Sequence, residues 1–353
     1  MLTIDRTIRP GRVQEKAIPS ESACDRMVAV LCSQYGGPQV VSVGDLPRPV
    51  PGPDEIRVRV MASPITVGDR RIRSLDFPQG MKTLGRVAMG WRRLRNPVLG
   101  TVFAGQIDAV GKNVRAWRAG DAVFGMDGRG MGCHAAYRLV NSLGAIAPIP
   151  AGLSFEGAAA LPFGGLTAMH FLRSAQLRPG ERLLVNGASG TCGAAALQLA
   201  VAAGSPVTAV CSGRKLAWAR QLGATNVVDY TASNFTQLPD QFDVIFDTVG
   251  NHCVADMLRV LKPGGRLVRL NAGVNELWSA NRPRLQQPDR RVIAGRMLRA
   301  WTGWCCFSSS DPVRRRSATS AAGCAGFAHP PACATPSSPG LLPASVGGHR
   351  APH

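Results

Sequence analysis

The first part of the chain alternates short apolar runs with turns rich in glycine and proline. Strand-like patterns cover residues 27–31, 55–60, 101–107 and 121–125. Short strands at this spacing are typical of a β-rich, partly closed domain. We therefore predict such a domain over residues 27–150.

A second pattern begins at residue 183, where buried apolar strands alternate with glycine turns and helical segments. Strands that alternate with helices at this spacing predict an α/β domain built on a doubly wound parallel sheet. The predicted strands are 183–186, 207–211, 226–230, 242–247 and 266–270, and the predicted helices are 194–203, 215–222 and 254–261, with a turn at 262–265.

The two ends of the chain lack these patterns. Residues 1–26 mix charges without an apolar signal core, so we expect a flexible extension or an upstream misread start. After Trp301 there is no Glu, Lys, Ile, Gln or Met and no helix or strand period, which predicts a disordered tail over residues 301–353. A reading-frame shift in a GC-rich gene would yield the same residues, and we expect that the locus carries one.

Charge changes the picture in two places. Lys and Arg number 41 against 22 Asp and Glu, a formal net charge of +19. Residues 70–95 hold eight cations and one acid, and residues 282–316 hold nine cations and two acids. Such an excess raises nucleic acid as a partner, but neither segment interleaves its cations with aromatic residues for base stacking. Nucleic acid is therefore not the partner that we expect.

Cysteine spacing and hydropathy exclude two further classes of protein. The ten cysteines include no CxxC pair, which favours reduced structural thiols. The sequence has no apolar run of about 18 residues, the length that a membrane helix needs. We therefore expect a cytoplasmic protein without a membrane partner.

A glycine-rich segment lies between the first strand and the first helix of the α/β pattern. Glycines at this point let the chain turn sharply and let a pyrophosphate approach bare amides at the positive end of a helix. A position after a strand and before a helix is the context that a dinucleotide-binding motif requires, although a turn without a ligand has the same residues. The candidate residues are Gly187, Ser189, Gly190, Thr191, Cys192 and Gly193.

The residues after the second strand bear on which dinucleotide is bound. A carboxylate there would bind the ribose 2′-hydroxyl of NAD, but no Asp or Glu occurs between Glu181 and Asp229. Ser212, Arg214 and Lys215 offer a hydroxyl and two cations for a 2′-phosphate. The sequence thus favours NADPH over NADH, with a solvated helix start as the alternative interpretation.

Several short motifs occur in the order found in one known family. They are YGGP at 35–38, PVPGPDE at 49–55, VLG at 98–100 with AG at 104–105, AVG at 109–111, GDAVFG at 120–125, NGASG at 186–190, LGA at 222–224 and VDY at 228–230. From about residue 27 to 295 the chain resembles the medium-chain dehydrogenase/reductase superfamily. Within it, the chain is most similar to the zinc-independent quinone oxidoreductase branch, often labelled alcohol dehydrogenase-like.

The resemblance implies an order of domains. It implies a GroES-like catalytic domain over residues 27–150, a Rossmann NADP(H)-binding domain over 151–275 and the start of a return segment over 276–300. The active site would lie in the cleft between the two domains, and the protein would be a homodimer.

The resemblance also implies contacts with the cofactor. Thr66 takes the place of a family asparagine near the nicotinamide, Thr167 matches a threonine near the cofactor, and Tyr230 matches a tyrosine by the adenosine phosphate. Alternatively, Thr167 bonds only the backbone of its own helix, and Tyr230 is a half-buried aromatic at a strand end. Val249 and Gly250 follow a strand at its carboxyl end, where open α/β sheets bind ligands.

Zinc-dependent relatives carry a Gly-His-Glu motif that supplies a metal ligand. The matching residues here are Gly100, Thr101 and Val102, and neither of the last two replaces an imidazole on zinc. Cys133 and His134 are neighbours, but no further ligands stand at a suitable spacing. We therefore predict that the protein binds no metal.

Without a metal, the acceptor must already be electrophilic. We expect an NADPH-dependent oxidoreductase that transfers hydride to a quinone or an α,β-unsaturated carbonyl. One alternative is an enoyl-thioester reductase in which the cations of residues 70–95 receive the phosphates of the substrate. Others are an NADPH-binding protein without turnover and an inactive remnant whose catalytic domain is truncated by the altered C-terminus.

Overall fold

A computed structural model describes residues 26–77, 82–127, 130–239, 241–271 and 290–294. The predicted N-terminal extension, apart from residue 26, and the predicted tail lie outside these residues. So does the predicted return segment, apart from residues 290–294.

Antiparallel strands make up most of the first half of the described chain. A hairpin joins β1 (Arg26–Cys32) to β2 (Val41–Pro47). A five-stranded sheet has the order β6-β3-β4-β5-β7, which confirms the predicted β-rich domain. Its strands are β3 (Glu55–Ala62), β4 (Val102–Val110), β5 (Ala122–Met126), β6 (Tyr137–Asn141) and β7 (Ile146–Pro148).

The core of this sheet follows from the alternation of apolar residues. Ile56 and Val58 are two positions apart on β3, so both point to one face, and both are 0% exposed. They pack in one cluster with Phe103 and Ile107 of β4. Burial of these four side chains joins the two central strands.

Two short helices lie between β3 and β4, where the sequence pattern indicated only a cation-rich segment. They are α1 (Val67–Ser74) and α2 (Lys82–Met89). Thr66 and Asp69 form a capping box that starts α1, and Leu75 ends it in the left-handed conformation with φ of 53°. Ile72 of α1 is buried in a separate apolar cluster with Leu94 and Leu99.

The second half contains a six-stranded sheet in which every pairing is parallel. Its order is β10-β9-β8-β11-β12-β13. The two strands that follow β8 in sequence therefore lie on one side of it, and the next three lie on the other side. This is the order of a dinucleotide-binding fold and confirms the predicted doubly wound sheet. The strands are β8 (Leu183–Asn186), β9 (Val207–Cys211), β10 (Asn226–Asp229), β11 (Phe242–Asp247), β12 (Leu261–Arg269) and β13 (Arg291–Ala294).

Helices cover both faces of the parallel sheet. Val185 packs with Ala196 of α5 (Thr191–Ala202) on one face, and Leu184 packs with Met257 of α7 (Val254–Arg259) on the other. Burial on both faces explains why these strands are continuous apolar runs. The helix predicted at 215–222 is α6 (Leu216–Gln221), preceded by a 3₁₀ turn.

The predicted turn at residues 262–265 is part of a strand. β12 begins at Leu261, which pairs with Phe242, and the next pair in register joins Val244 to Arg266. The four residues between Leu261 and Arg266 therefore lie outside the paired register, opposite Asp243 alone, and Gly264 among them has a φ of 76°. The predicted turn is thus an unpaired excursion inside the bounds of β12 rather than a connection before it.

A nearly continuous helical stretch connects the two sheets. It comprises α3 (Phe155–Leu161), a π-helical turn (Pro162–Leu166) and α4 (Thr167–Ser174). Ala158 and Ala159 of α3 pack on Ala104 of the five-stranded sheet, whereas Phe171 of α4 contacts Phe246 of the parallel sheet. None of the helices in the described part of the chain is long and apolar enough to cross a membrane.

Candidate cofactor site and active site

The predicted phosphate-binding turn lies at the carboxyl end of β8, at the point where the strand order reverses. Gly187 has a φ of 80°, a conformation that a side chain disfavours. A Cβ on Gly193 would lie 2.2 Å from the Gly187 carbonyl oxygen, so α5 starts in direct contact with the strand end. Gly190 precedes α5, and no side chain caps the helix there. The first amides of a twelve-residue helix therefore point toward the space where an anion would bind.

The π-helical turn lies against the beginning of α5. A Cβ on Gly164 would lie 2.6 Å from the carbonyl oxygen of Thr191. Thr167 donates its hydroxyl proton to the Phe163 carbonyl at 2.6 Å, which is the helix-internal bond considered as the alternative from sequence. Its oxygen still has lone pairs with which to accept a hydrogen bond.

Cys192 is a half-buried neighbour of Thr167. Burial raises the pKa of the Cys192 thiol to about 11, although a hydrogen bond with the Thr167 side chain opposes the rise. At neutral pH the residue is therefore an uncharged thiol beside the phosphate-binding turn. It adds no negative charge that would repel a pyrophosphate.

The predicted 2′-phosphate residues follow β9. Ser212 is half-buried, while Arg214 and Lys215 are exposed. The Lys215 Nζ atom lies 5.9 Å from the centre of the Trp218 ring. Tyr230, at the end of the neighbouring strand, is 58% exposed and donates its backbone amide to the Cys211 carbonyl.

Asp229 lies beside the predicted 2′-phosphate residues, although the sequence analysis did not single it out. It pairs with Cys211 across β9 and β10, and its carboxylate accepts a hydrogen bond from the Gly213 amide. Hydrogen bonds from the Thr231 amide and hydroxyl hold the pKa of Asp229 below its usual value. The carboxylate thus lies among the residues predicted to bind a 2′-phosphate. It could have been found from the sequence because β9 and β10 are neighbouring parallel strands, whose carboxyl ends lie side by side.

The loop after β11 reaches the phosphate-binding turn. A Cβ on Gly187 would lie 2.3 Å from the Thr248 Oγ1 atom and 2.7 Å from the Val249 Cγ2 atom. The Val249 side chain remains 45% exposed, and Gly250 has a φ of 78°. The sheet therefore brings two predicted cofactor segments together, although about 60 residues separate them in sequence.

The side chains of Asn271 and Asp247 hold this loop by hydrogen bonds to its backbone. Asn271 donates its amide to the carbonyls of Thr248 at 2.9 Å and of Val249 at 3.1 Å. Asp247 accepts from the amides of Val249 at 3.1 Å and of Gly250 at 3.0 Å. These backbone polar groups of the loop are bound within the protein, while the Val249 side chain remains exposed.

Thr66 belongs to the β-rich half of the chain. Its hydroxyl donates to Asp69 at 2.7 Å and also accepts from the Asp69 amide at 3.3 Å. Asp69 is only 3% exposed and accepts from the Gly100 amide, so it joins α1 to the start of β4. Ile65 and Val67, on either side of Thr66, are exposed. The start of α1 therefore presents one hydroxyl between two exposed apolar side chains.

The residues around Gly100 do not fit a zinc site. Thr101, where zinc-dependent relatives have histidine, is 0% exposed and its hydroxyl has no hydrogen-bond partner in the described structure. His134 packs against Gly100 and lies 3.3 Å from the Pro64 carbonyl oxygen through Nε2. Burial raises the pKa of the Cys133 thiol to about 12, so the metal-free protein carries an uncharged thiol here at neutral pH. Over the described ranges, no three His, Cys, Asp or Glu side chains come close enough to hold a metal ion.

Two family models match the chain. One described as "Alcohol dehydrogenase GroES-like domain" matches residues 52–166, and one described as "Zinc-binding dehydrogenase" matches residues 192–293. A 2-methylene-furan-3-one reductase of Solanum lycopersicum is 33% identical over 268 residues, which are 73% of this chain and 64% of that protein. A quinone oxidoreductase of Pseudomonas aeruginosa is 33% identical over 242 residues, 66% of this chain and 70% of that protein. The chain thus spans about two thirds of the length of these relatives.

Solved structures share the fold. The quinone oxidoreductase of Coxiella burnetii superposes with a TM-score of 0.67 at 26% identity, over 76% of this chain and 82% of that one. The CurK enoyl reductase superposes with a TM-score of 0.69 over 79% of this chain and 83% of its own, at 24% identity. At that identity the second likeness concerns the fold alone.

Proposed function

Because the chain belongs to the medium-chain dehydrogenase/reductase superfamily, we propose that it reduces a quinone or an α,β-unsaturated carbonyl compound with NADPH. One observation carries the proposal: the uncapped start of α5 and the exposed Val249 side chain meet at Gly187, where the strand order reverses. Ligands of open α/β sheets bind at such a reversal. The names of the relatives, a quinone oxidoreductase and a 2-methylene-furan-3-one reductase, agree with this chemistry.

We propose that each segment of the site has a separate task. The first amides of α5 bind the pyrophosphate, while the loop from Thr248 to Gly250 supports the nicotinamide end through the Val249 side chain. Bound NADPH supplies the hydride. Ile65 and Val67 provide an apolar surface for the substrate, and the Thr66 hydroxyl, held by Asp69, accepts or donates one hydrogen bond.

NADPH is proposed rather than NADH because Arg214 and Lys215 are exposed beside Ser212. Two cations and a hydroxyl match a dianionic 2′-phosphate. Asp229 opposes this preference, since its carboxylate lies at Gly213 in the same turn. The two cations outnumber the one carboxylate, so the balance favours the phosphate.

The proposed reaction uses no zinc. Quinones and enones are electrophilic without a Lewis acid, and the side chains around Gly100 are a poor match for zinc. A reduced quinone takes its protons from water, so the reaction does not demand a protein acid. Metal-free catalysis predicts that extensive treatment with a chelator leaves the rate of quinone reduction unchanged.

The proposal is tested by titrating the purified full chain with NADPH and NADH in a calorimeter, then by following NADPH oxidation with a simple quinone and a simple enone. We expect tighter binding of NADPH and turnover with at least one acceptor. The variant Arg214→Ala/Lys215→Ala should lose affinity for NADPH but not for NADH. Lys112→Ala, which removes an exposed cation from a turn of the β-rich half, is the matched control. Absence of dinucleotide binding to the wild type would refute the proposal, and binding without turnover would indicate an inactive remnant.

A second candidate function, reduction of an enoyl thioester, is favoured by the surface formed by α2 and the following turn. Its exposed cations stand beside Trp91, which is 60% exposed, and the sequence has no acidic residue between Asp76 and Asp108. An aromatic ring with neighbouring cations suits the adenine and phosphates of coenzyme A. The exposed cations are Lys82, Arg86, Arg92, Arg93 and Arg95.

The two candidate functions predict different KM values for the same acyl group carried on coenzyme A and on pantetheine. A thioester reductase should show a lower KM for an enoyl group on coenzyme A than for the same group on pantetheine. Arg92→Ala/Arg93→Ala should abolish that difference and leave simple enones unaffected. Equal KM values for the two thioesters would leave quinones and free enones as the substrates.

Assembly and location are also part of the proposal. We propose a homodimer, as the family resemblance implies, and a cytoplasmic location. Sedimentation of the full chain at micromolar concentration tests the first, and fractionation of the source cells tests the second.

A further inference from the structure

We propose that Arg269 is a positioning residue, which holds the loop from Thr248 to Gly250 and the phosphate-binding turn in the arrangement that NADPH requires. This inference rests on the proposed function, because it assigns a role within the same site. Arg269 is 3% exposed, so it acts through the loop and not by touching the cofactor.

One buried carboxylate connects the two cofactor segments. Asp247 is 0% exposed, and its Oδ1 atom accepts from the amides of Val249 and Gly250. The same Oδ1 atom accepts from the Asn186 side chain at 2.9 Å, and Asn186 is the residue before the turn glycine Gly187. Displacement of Asp247 would therefore move both the loop and the end of β8.

Arg269 supplies the charge that keeps this carboxylate in place. Its Nε atom lies 3.1 Å from the Asp247 Oδ2 atom, and the pair is 4% and 0% exposed at the side chains. A carboxylate buried to this extent without a nearby cation would be strongly disfavoured. The Asp247 oxygens thus divide their tasks: Oδ1 holds the loop and the turn, and Oδ2 holds Arg269.

The guanidinium also binds the far end of the loop directly. Its Nη2 atom donates to the Gly250 carbonyl at 3.1 Å and to the His252 carbonyl at 2.9 Å. Arg269 therefore binds backbone carbonyl groups at the end of the loop, while Asp247 binds backbone amide groups within it. Only a planar, forked cation reaches a carboxylate and two carbonyls together, so lysine should replace the charge but not the geometry.

The same strand provides a matched control. Arg266 lies three residues earlier on β12 and also binds one carboxylate and two carbonyls, those of Glu181, Ala175 and Gln176. This second group is at the opposite end of the sheet from the cofactor segments. Arg269→Lys and Arg266→Lys therefore remove equivalent bonds from one strand, near the site in one case and far from it in the other.

The test compares the two variants of the full chain by NADPH calorimetry, steady-state kinetics and thermal unfolding. We expect Arg269→Lys to raise the Kd and the KM for NADPH by roughly tenfold, the effect of losing a hydrogen bond to a charged group, with kcat changed much less. Both variants should lower the melting temperature by similar amounts. Arg266→Lys should nevertheless leave the Kd and the KM for NADPH unchanged. The charge-free variant Asp247→Asn/Arg269→Met keeps the test available if single variants fold poorly, and it should bind NADPH as weakly as Arg269→Lys does.

Two outcomes would overturn the inference. One is an unchanged Kd for NADPH in Arg269→Lys, and the other is an equal rise in both lysine variants. If the wild type binds no dinucleotide, the proposed function fails by itself, and amide hydrogen exchange then tests the inference. Exchange at Val249 and Gly250 should be faster in Arg269→Lys and unchanged in Arg266→Lys, and unchanged exchange in both variants would overturn it.

Discussion

The carbonyl oxygen of Gly187 lies 2.2 Å from the position that a Cβ on Gly193 would occupy, so the end of β8 and the start of α5 are in contact. This contact aims the uncapped amides of α5 at the carboxyl edge of the parallel sheet. Because any side chain on Gly193 must move either the helix or the strand, the glycine determines where the first amides of α5 lie.

Gly193→Ala should therefore impair both folding and binding. We expect a loss of about 1–3 kcal/mol in the free energy of unfolding, as for other overpacked sites, and loss of measurable NADPH binding. Gly190→Ala is the matched variant, since its Cβ would meet only the Gly187 carbonyl oxygen at 3.4 Å. That variant should keep wild-type stability in urea but bind NADPH more weakly, because the methyl group lies where the phosphate approaches. Wild-type affinity in Gly190→Ala would place the pyrophosphate elsewhere.

Asp229→Asn should strengthen the preference for NADPH. Removal of a carboxylate from the turn at Gly213 removes a repulsion on the 2′-phosphate, so the ratio of kcat/KM for NADPH to that for NADH should rise. The single amide oxygen can still accept from the Thr231 amide and hydroxyl, but the amide nitrogen would face the Gly213 amide, so that one hydrogen bond is lost. The ratio is measured with one quinone at saturating concentration, and a ratio that falls would show that Asp229 orients the phosphate-binding groups.

Thr66 variants separate the two tasks of its hydroxyl. Thr66→Val removes the cap of α1 and should lower the free energy of unfolding by about 1 kcal/mol. If the hydroxyl also contacts the substrate or the nicotinamide, kcat should fall about fivefold, the effect of one neutral hydrogen bond. Thr66→Ser should restore both quantities. Lower stability with an unchanged kcat would assign the hydroxyl to the capping box alone.

The pair between Glu181 and Arg266 should make stability depend on acidic pH. Burial raises the pKa of Glu181, but hydrogen bonds from Arg266 and the Arg178 amide outweigh it, so the folded-state pKa lies below the usual 4.5. A carboxylate whose pKa is lower in the folded state than in the unfolded state stabilises the fold at pH values above its unfolded-state pKa. This stabilisation is lost as the pH falls through the folded-state pKa. Glu181→Gln should cost about 2 kcal/mol at pH 7 in urea unfolding, with a smaller cost near pH 3. A cost that is the same at both pH values would contradict this account.

Thiol reactivity should differ sharply among the described cysteines. Burial raises the pKa of Cys192 to about 11 and that of Cys133 to about 12, so neither forms much thiolate at neutral pH. Cys253 is exposed at the start of α7. Brief alkylation at neutral pH, followed by peptide mapping, should label Cys253 well before Cys192 and Cys133. Early labelling of Cys192 would mean that the phosphate-binding turn opens in solution.

Sequence was a good guide wherever the pattern was local. Strands 183–186, 207–211 and 242–247 were predicted with the observed bounds, because a strand buried on both faces is a continuous apolar run. The helix after Gly190 begins three residues earlier than predicted, since Thr191 and Gly193 are weak helix formers whose place is set by the strand they contact. The fold class and the family followed from these patterns and from the glycine motifs.

Sequence was a poor guide wherever function depends on neighbouring strands. Asp229 escaped notice because it follows β10, although its carboxylate reaches the turn after β9. The bond from Asn186 to Asp247 spans 61 residues, and Arg269 lies a further 22 residues along the chain. Parallel strands bring such residues together only after long crossovers, so spacing in sequence does not indicate their contact.

The sequence by itself determined the order of strands and helices in the α/β half, the glycine turn and the chemical types available at the carboxyl edge of the parallel sheet. These depend on backbone conformation and on local apolar patterning, both of which each segment carries within itself. Tertiary structure alone decided that Asp247 and Arg269 share one buried site and that Val249 lies against Gly187. Burial removes the water that would otherwise solvate each charge separately, and only the folded sheet brings together the partners that replace it.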